Sequence, residues 1–272
     1  MIGFLEATQG EAIINGRNIK TDMNEIYTFM GVCPQHDLLW ETLTAREHLS
    51  FYARLKRLSG ANLTKAVDSA LKSVNLFDVA NKRAGQFSGG MKRRLSCAIS
   101  LIGEPAVTYL DEPSTGLDPA SRRQLWGTIA DAKQGKAVVL TTHSMEEAEI
   151  LCDRLGIFID GRLACVGPPK ALAARYGGYH VFTITTPENQ VDAQQKFVQH
   201  MSPTGKRTYL VAGTSKWRLP SKDISLAKVF ETMGAADTYG LTVLDWGVHS
   251  ASLEDVFIQL AQEASQKNNI LA

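Results

Sequence analysis

Two adjacent carboxylates, Asp111 and Glu112, follow an apolar run at 106–110 (AVTYL) that predicts a buried strand. Open α/β folds bind ligands at the carboxyl edge of a parallel sheet, which is where these two acids would lie. An aspartate there can hold Mg²⁺ through water, and its neighbour can orient or deprotonate an attacking water. An ordinary capped loop is the alternative interpretation, because many strands end in such a pair.

A short glycine-rich segment opens a predicted helix: Ser88, Gly89 and Gly90. Bare backbone N–H groups and a hydroxyl at a helix N-terminus favour an anion, and the helix dipole adds to that preference. A plain glycine-rich helix cap is the alternative interpretation. The basic run at 92–94 (KRR) is expected to be a solvated helix face with some preference for anions, not a nucleic-acid-binding patch.

Two further polar side chains follow predicted strands. His143 comes directly after the run at 136–142 (KAVVLTT), where an imidazole can bond a phosphate oxygen, although a lone histidine is more often structural. Gln35 follows the run at 29–34 (FMGVCP) and can hold water or Mg²⁺. The segment at 114–118 (STGLD) would otherwise be an ordinary loop. Each of these signals is weak when it is taken alone.

The elements that must position these residues alternate between strands and helices up to about residue 178. Short apolar runs predict buried strands, and residues 63–74 carry apolar positions at the spacing of one helix face. Strands that alternate with helices favour a mostly parallel sheet with helices packed on it. Two tight hairpin turns are predicted at Asn15-Gly16 and Asp160-Gly161. Capping-box sequences predict helix starts at 144–147 (SMEE) and 252–255 (SLED).

The chain after residue 178 follows a different order. Its pattern is β-α-β-β-α-β, the order of a ferredoxin-like sandwich. The predicted strands are 179–185, 207–212, 215–220 and 241–248. A partly apolar helix face that includes Gln194 follows the first strand, and a closing helix follows the last.

Composition argues against several classes of function. The 29 Lys+Arg balance 28 Asp+Glu to a formal net charge of +1, so nothing supports a charge-driven nucleic-acid or membrane-surface role. The apolar stretches are strand-sized, far short of the roughly 20 residues of a membrane helix. Neither the 4 cysteines nor the 6 histidines have metal-ligand spacing, so a metalloenzyme is not expected. The cysteines are expected to be small buried residues in a reducing compartment.

In their linear order, the motifs resemble those of the nucleotide-binding domain of an ABC transporter. Gln35 and the segments SGGMK (88–92), YLDEP (109–113), STGLD (114–118) and TTH (141–143) are similar to its Q-loop, signature, Walker B, D-loop and H-loop. The segments SGGMKRRLS and CPQHDLLW resemble those of subfamily A, the lipid-exporter branch. Cassettes of that subfamily are followed by a small regulatory domain, and SLEDVF (252–257) is similar to the segment that closes it.

The resemblance implies an α/β fold in two parts. Residues 1–178 would be an ABC-type ATPase cassette, with a parallel-sheet core and a helical signature subdomain, truncated at its amino end. Residues 179–266 would be a small α+β, ferredoxin-like regulatory domain with a closing helix. The last residues, 267–272, are expected to be a frayed tail.

The resemblance also implies a role for each residue at the sheet edge. Asp111 would bind Mg²⁺ through water. Glu112 would be the general base for the water that attacks the γ-phosphate of ATP. His143 would hold the γ-phosphate and that water. Gln35 would sense Mg²⁺, act in catalysis and couple the site to a transmembrane domain.

A second group of residues would act across an interface. Ser88, Gly89 and Gly90 would contact the γ-phosphate of ATP bound on the opposite cassette, because such sites form between two cassettes facing head to tail. Asp118 would help to link the two sites. The implied partners are therefore a second cassette and transmembrane domains, with no nucleic acid. The cassette would be membrane-associated through those domains, on the cytoplasmic side.

One motif of the family is missing, because GxxxxGK[ST] occurs nowhere in the 272 residues. That loop, Walker A, supplies the backbone cradle for the phosphates, a lysine on the β- and γ-phosphates and a hydroxyl on Mg²⁺. In the family it lies just before the segment that MIGFLEATQGEAIING resembles. Met1 is therefore expected to be an internal methionine, and the chain is expected to have no competent ATP site of its own.

Three hypotheses follow. The first is the ATP-hydrolysing cassette of an ABC transporter that moves a lipid-like substrate across a membrane. The second is a non-catalytic short form that donates its signature motif to a partner cassette. The third is a soluble ABC ATPase of translation or DNA repair. It is disfavoured because those proteins carry tandem cassettes or a long coiled-coil insertion, and the ferredoxin-like tail points elsewhere.

Overall fold

The computed structural model describes residues 2–271, and the side chains of residues 2–262 and 264. The chain forms two compact units, residues 1–147 and 148–272, and the division falls within a helix at Met145–Leu151. The boundary predicted at residue 178, between a cassette and a regulatory domain, stays a prediction. The frayed tail predicted at 267–272 lies outside the residues whose side chains are described.

The first unit combines helices with a parallel sheet. Its helices are α1 (Met23–Phe29), α2 (Ala45–Leu55), α3 (Gly60–Ser73), α4 (Gly89–Leu101) and α5 (Pro119–Ala132). Its strands are β1 (Ile13–Ile14), β2 (Arg17–Asn18), β3 (Met30–Cys33), β4 (Val107–Asp111) and β5 (Ala137–Thr141). Strands β1 and β2 form the predicted hairpin, and its two turn residues, Asn15 and Gly16, both have positive φ. The helix that crosses the division, α6, spans Met145–Leu151.

The parallel sheet has the order β3-β4-β5, which confirms the prediction from the alternating pattern. In the register of the central strand, Leu110 pairs with Cys33 on one side and with Leu140 on the other. Asp111, the last residue of β4, pairs with Thr141. The three strands therefore end together, and the segments that follow them start at one edge of the sheet.

A separate apolar core joins α2, α3 and α4. The predicted helix face on α3 is confirmed, because Val67 and Leu71 are fully buried and Leu63 packs against the same core. The core is closed from α2 by Leu49 and from α4 by Leu95, each with no exposed surface. This packing fixes α4, the helix that begins with the glycine-rich segment.

Strand β3 approaches α4 so closely that only glycine fits at position 31. A Cβ atom on Gly31 would overlap the backbone carbonyl oxygen of Ser100 near the end of α4, and it would lie 3.2 Å from Cγ of Pro105. A backbone atom cannot move aside as a flexible side chain does. The contact therefore holds the strand that precedes Gln35 against the helix.

The second unit contains two antiparallel sheets. Its strands are β6 (Leu155–Ile159), β7 (Arg162–Gly167), β8 (Tyr179–Thr185), β9 (Lys206–Val211), β10 (Thr214–Pro220) and β11 (Asp245–Ser250). Its helices are α7 (Pro169–Tyr176), α8 (Val191–Met201), α9 (Leu226–Gly234) and α10 (Leu253–Leu271). Strands β6 and β7 form the hairpin predicted at Asp160-Gly161.

The four-stranded sheet has the order β11-β8-β10-β9, with every neighbouring pair antiparallel. Together with α8 and α9 this gives the predicted β-α-β-β-α-β arrangement. The last strand was predicted at 241–248 but begins at Asp245. The reason is that Leu241 is buried in the core as part of an irregular segment after Gly240, whose φ is +66°, and the chain reaches β8 only at Asp245.

A buried amide joins α8 to the four-stranded sheet. Gln194, predicted on an apolar helix face, has no exposed surface. Its Nε2 donates to the carbonyl oxygen of Gly213 at 2.9 Å and to Oγ1 of Thr186 at 3.0 Å. Its Oε1 accepts from the Ser215 hydroxyl at 2.6 Å, and that hydroxyl accepts from Nε1 of Trp217 at 2.7 Å. The face is apolar except for one side chain whose hydrogen bonds are satisfied.

The two predicted helix caps differ in one detail. At α10 the box is reciprocal, because Asp255 N–H donates to the Ser252 hydroxyl and the Asp255 carboxylate accepts from Ser252 N–H at 3.0 Å. At α6 only half of it forms. Glu147 N–H donates to the Ser144 hydroxyl, but the buried Glu147 carboxylate accepts from Nε1 of Trp126 at 2.9 Å. Within residues 2–271, no helix combines the length and the apolar character of a membrane span.

We predict that Gly31→Ala destabilises the first unit by at least about 2 kcal/mol, since the new methyl group must displace either β3 or the end of α4. Gly127→Ala is the matched control. A Cβ at Gly127 meets nothing within 4 Å in α5, so the control should gain about 0.5–1 kcal/mol. Chemical denaturation of the two variants measures both effects, and equal stability would contradict the close approach.

We also predict that Gln194→Leu destabilises the second unit by about 2–3 kcal/mol. The substitution keeps the side-chain size but leaves the Ser215 hydroxyl and the Gly213 carbonyl without their buried partner. Gln199→Leu, on the exposed side of the same helix, should change stability by less than about 0.5 kcal/mol. Thermal unfolding of the two variants measures both changes in stability. An unchanged stability of Gln194→Leu would mean that the buried hydrogen bonds of Gln194 contribute nothing.

Candidate active site

The side chains predicted at the sheet edge meet around one carboxylate. Oε2 of Glu112 accepts from the Thr115 hydroxyl at 3.0 Å and lies 3.2 Å from Nδ1 of His143. The Gln35 side chain lies near enough to this carboxylate to lower its pKa slightly. The structure therefore brings Glu112, His143 and Gln35 together, although they are far apart in the sequence.

These hydrogen bonds keep the carboxylate ionised. The Thr115 hydroxyl does most to lower the pKa of Glu112, and the His143 ring lowers it further; desolvation opposes both, and Gln35 has the smallest effect. An ionised carboxylate with one side open to solvent can accept a proton from water. The His143 side chain is 71% exposed, so its ring is also accessible to a ligand.

The backbone of Glu112 is strained. Its φ is +47°, in the left-handed region that residues other than glycine rarely adopt. Its N–H donates to the backbone oxygen of Thr141 at 3.1 Å, at the end of the neighbouring strand β5. Strain of this kind persists only where surrounding contacts enforce it, and it is common at functional sites.

Asp111 supplies the oxygen donor at the end of β4. Its carboxylate is exposed and accepts a hydrogen bond from the Thr141 hydroxyl. With the Gln35 amide, this gives an all-oxygen donor set, which is the set that Mg²⁺ prefers. In the described part of the chain, no three His, Cys, Asp or Glu side chains converge on one point. The residues present fit a metal that keeps most of its ligands as water and phosphate oxygens, as Mg²⁺ does.

The glycine-rich segment and Asp118 lie at two helix starts. Ser88 caps α4, because its hydroxyl accepts from Met91 N–H at 3.3 Å. Asp118 caps α5 by accepting from two backbone N–H groups at 3.0 Å, and hydrogen bonds from Ser121 lower its pKa. Among the hydrogen bonds of the described residues, none joins these two caps, or Gly89 and Gly90, to the Glu112 cluster. Their roles toward a second cassette stay predictions.

The basic run at 92–94 is not a solvated face, and that prediction is wrong for its central residue. Arg93 is 4% exposed. In the loop after β3, its guanidinium donates to the backbone oxygens of Pro34 (2.6 Å) and Gln35 (3.2 Å) and to Oδ1 of Asp37 (3.3 Å). In the loop after β4, it donates to the backbone oxygens of Asp111, Glu112 (3.0 Å) and Pro113 (3.0 Å). Arg94, the next residue, is half-buried and donates to the Val74 carbonyl at 3.0 Å.

Arg93 is the residue beside this cluster that the sequence analysis missed. A signal for it does exist, since Arg93, Ser96, Cys97 and Ser100 recur at the spacing of one helix face and all four are buried. The signal is weak because an arginine on such a face normally indicates its solvated side.

The cysteines largely follow their prediction. Cys33, Cys97 and Cys165 are buried as free thiols, and Cys152 is half-buried. The Cys33 and Cys97 sulfurs lie 3.6 Å apart, between the end of β3 and α4. They are part of the same packing that holds Arg93 beneath the site.

Two family models match the chain. The model described as "ABC transporter" matches residues 1–115, and the model described as "ABCA12-like, C-terminal domain" matches residues 180–230. The second match falls on the four-stranded sheet of the second unit. The two matches follow the order that the sequence motifs predicted.

Similar proteins include members of the ABC transporter A family from Arabidopsis thaliana. Member 7 is 56% identical over 270 residues, which is 98% of this chain and 29% of that protein. Member 10 is 56% identical over 272 residues, which is 99% of this chain and 30% of that protein. The chain therefore spans less than a third of the length of these relatives.

Solved structures with the same fold are ABC ATPase cassettes. The ATP-binding subunit of an ABC transporter is 28% identical, with a TM-score of 0.59 over 65% of this chain and 74% of its own. CbiO1 from Clostridium perfringens, part of an ABC transporter complex, is 26% identical, with a TM-score of 0.57 over 64% of this chain and 71% of its own. From its motifs, its fold and these similarities, the chain carries the α/β fold of an ABC ATPase cassette, and nearly its whole length is similar to one part of ABC transporter A family members.

Proposed function

We propose that this chain is the ATP-hydrolysing cassette of a transporter that moves a lipid across a membrane, and that the chain cannot bind ATP by itself. Similarity to the ABC transporter A family supports a transporter ATPase module. The observation that carries the catalytic part is the Glu112 carboxylate at the edge of a parallel sheet, where it accepts from the Thr115 hydroxyl and lies 3.2 Å from Nδ1 of His143, with Gln35 nearby. The lipid substrate rests on the resemblance of SGGMKRRLS and CPQHDLLW to subfamily A.

Each residue of the cluster has a separate task in this proposal. Bound Mg²⁺ would offset the negative charge of the phosphates, and Asp111 and Gln35 are the residues that would hold it. Glu112 accepts the proton of the attacking water, and its lowered pKa keeps it ionised at neutral pH. His143 bonds Glu112 through Nδ1, which orients its exposed ring for a phosphate oxygen. The water oxygen would attack the γ-phosphorus as its proton passes to the Glu112 carboxylate, and the bond between that phosphorus and the leaving ADP oxygen would break.

The remaining half of a nucleotide site is not provided by these residues. No GxxxxGK[ST] occurs in the sequence, so no phosphate loop or its lysine is available to hold the β- and γ-phosphates. Strand β5 (AVVLT) is the outer strand of its sheet, and Val139 is 41% exposed. Such an apolar strand is typical of the interior of a larger parallel sheet. Both features support the proposal that the cassette is truncated before residue 1.

The partners follow from the same proposal. A second cassette would face this one head to tail and receive Ser88, Gly89 and Gly90, which lie at the exposed start of α4. Transmembrane domains would carry the substrate, which makes the cassette membrane-associated on the cytoplasmic side. ATP and Mg²⁺ would be its cofactors.

A second candidate function is a non-catalytic module that donates its signature segment to a complete partner cassette. The exposed start of α4, separate from the Glu112 cluster, favours this candidate. It requires that the chain stimulate the ATPase of the Arabidopsis member 7 cassette, and that Ser88→Arg abolish the stimulation. Without stimulation, the module candidate fails.

We predict that the 272-residue chain neither binds nor hydrolyses ATP, because the phosphate cradle is missing. Joining a segment that carries GxxxxGK[ST] to the amino end should create Mg²⁺-dependent ATPase activity. Isothermal titration and phosphate release measure the two properties. Saturable ATPase activity of the chain alone would contradict the prediction, and an inactive extended chain would contradict the proposed function.

In that extended chain, we predict that Glu112→Gln lowers kcat by about 100-fold or more with little change in KM for ATP, because the amide cannot accept a proton from water. Glu146→Gln, an exposed carboxylate in the first turn of α6, is the matched control and should keep wild-type kinetics. Steady-state phosphate release measures both variants. Wild-type kcat in Glu112→Gln would remove Glu112 from the mechanism.

A further inference from the structure

Arg93 uses its guanidinium in an unusual way for a buried cation. Buried charges are normally paired with an opposite charge. Here one carboxylate oxygen, on Asp37, lies at 3.3 Å, and the other acceptors are backbone carbonyl oxygens. Each of the three guanidinium nitrogens donates to at least one backbone carbonyl oxygen. The side chain therefore acts as a fixed set of donors that matches the shape of the surrounding backbone.

The carbonyl groups belong to the two loops that carry the catalytic cluster. Nη1 donates to Pro34 and to Gln35 itself, in the segment after β3. Nη2 donates to Asp111 and to Glu112 itself, in the turn after β4. One planar group therefore links the backbone of Gln35 to the backbone of Glu112.

The strained conformation of Glu112 depends on this link. Its N–H is fixed by Thr141, and its carbonyl oxygen is fixed by Nη2 of Arg93 at 3.0 Å. A left-handed residue with both backbone groups held in this way cannot relax without breaking one of the two bonds. Arg93 therefore holds the backbone of the residue whose carboxylate faces His143.

We propose that Arg93 is a positioning residue of the hydrolytic site, which sets the placement of Gln35 relative to Glu112 and couples both to the start of α4. The inference rests on the proposed function, because positioning matters only if Glu112 and Gln35 act on ATP. Arg93 lies one helical turn beyond Ser88–Gly90 on α4. A shift of that helix end on docking against a second cassette therefore reaches both loops through one side chain.

The neighbouring residue provides a matched control. Arg94 is on the same helix but is half-buried, and its guanidinium donates to the Val74 carbonyl, to Oε1 of Gln124 at 3.1 Å and to the Gly90 carbonyl at 3.4 Å, none of which belongs to the Glu112 cluster. A loss of charge or of packing at α4 would affect both arginines. A loss of positioning would affect Arg93 alone.

The first test uses the 272-residue chain and needs no activity. In hydrogen exchange, Arg93→Gln should speed exchange by about tenfold or more in both 34–41 and 110–118, because local opening is no longer opposed by the guanidinium. Arg93→Lys keeps the charge with fewer donors and should lie between that variant and wild type. Arg94→Gln should leave both segments unchanged. Wild-type exchange in the folded Arg93 variants would overturn the proposal.

The second test measures catalysis in the chain extended at its amino end by a segment that carries GxxxxGK[ST]. Arg93→Gln should lower kcat by about tenfold to 100-fold while KM for ATP changes less than about threefold, since a misplaced base loses rate rather than substrate binding. Arg93→Lys should recover part of kcat. Leu71→Ala, a fully buried core substitution away from the site, should lower the Tm but keep kcat per folded molecule.

The two tests separate the proposals. An inactive wild-type extended chain would defeat the proposed function, while hydrogen exchange would still decide whether Arg93 holds both loops. An equal loss of kcat in Arg93→Gln and Leu71→Ala would overturn the positioning role and reduce Arg93 to a stabilising residue. If Arg93→Gln does not fold, Arg93→Lys carries both measurements.

Discussion

The hydrogen bonds from the buried Arg93 guanidinium to backbone carbonyl groups are the interaction on which the site depends. The parallel register brings the ends of three strands to one edge, but register alone does not fix the loops that follow. Arg93 fixes two of those loops. The close contact at Gly31 holds α4, the helix that carries Arg93, against β3. Without this support the strained backbone at Glu112 would relax.

Much of the site could be predicted from its sequence because its residues follow recognisable strands. Asp111, Glu112, His143 and Gln35 each come directly after an apolar run, so a parallel sheet necessarily brings them to the same edge. Arg93 could not be placed in this way. One of its acceptors, the Pro34 carbonyl, lies 59 residues earlier, and backbone carbonyl groups have no sequence signature. Burial of a cation by distant backbone is a tertiary effect that local patterns do not contain.

In the second unit, too, some features were predictable from the sequence and others were not. The order of its strands and helices was readable from hydrophobic periodicity, and the two glycine-containing hairpin turns were readable from backbone conformational preference. The start of β11 was not, because Leu241 reaches the core from an irregular segment and mimics a strand residue. The partners of Gln194 were not readable either. A polar residue on an apolar helix face indicates burial, but its hydrogen bonds depend on strands that pair elsewhere in the chain.

The outer strand β5 has a consequence for how copies of the chain associate in solution. Its sequence AVVLT contains no lysine, proline or bulge of the kind with which proteins protect the edge of a sheet. Unpaired N–H and C=O groups along such a strand are a template for another strand of similar sequence. At high concentration, copies of this chain would associate edge to edge, so colloidal stability rather than folding would limit its handling, and a strand that covered this edge would improve solubility.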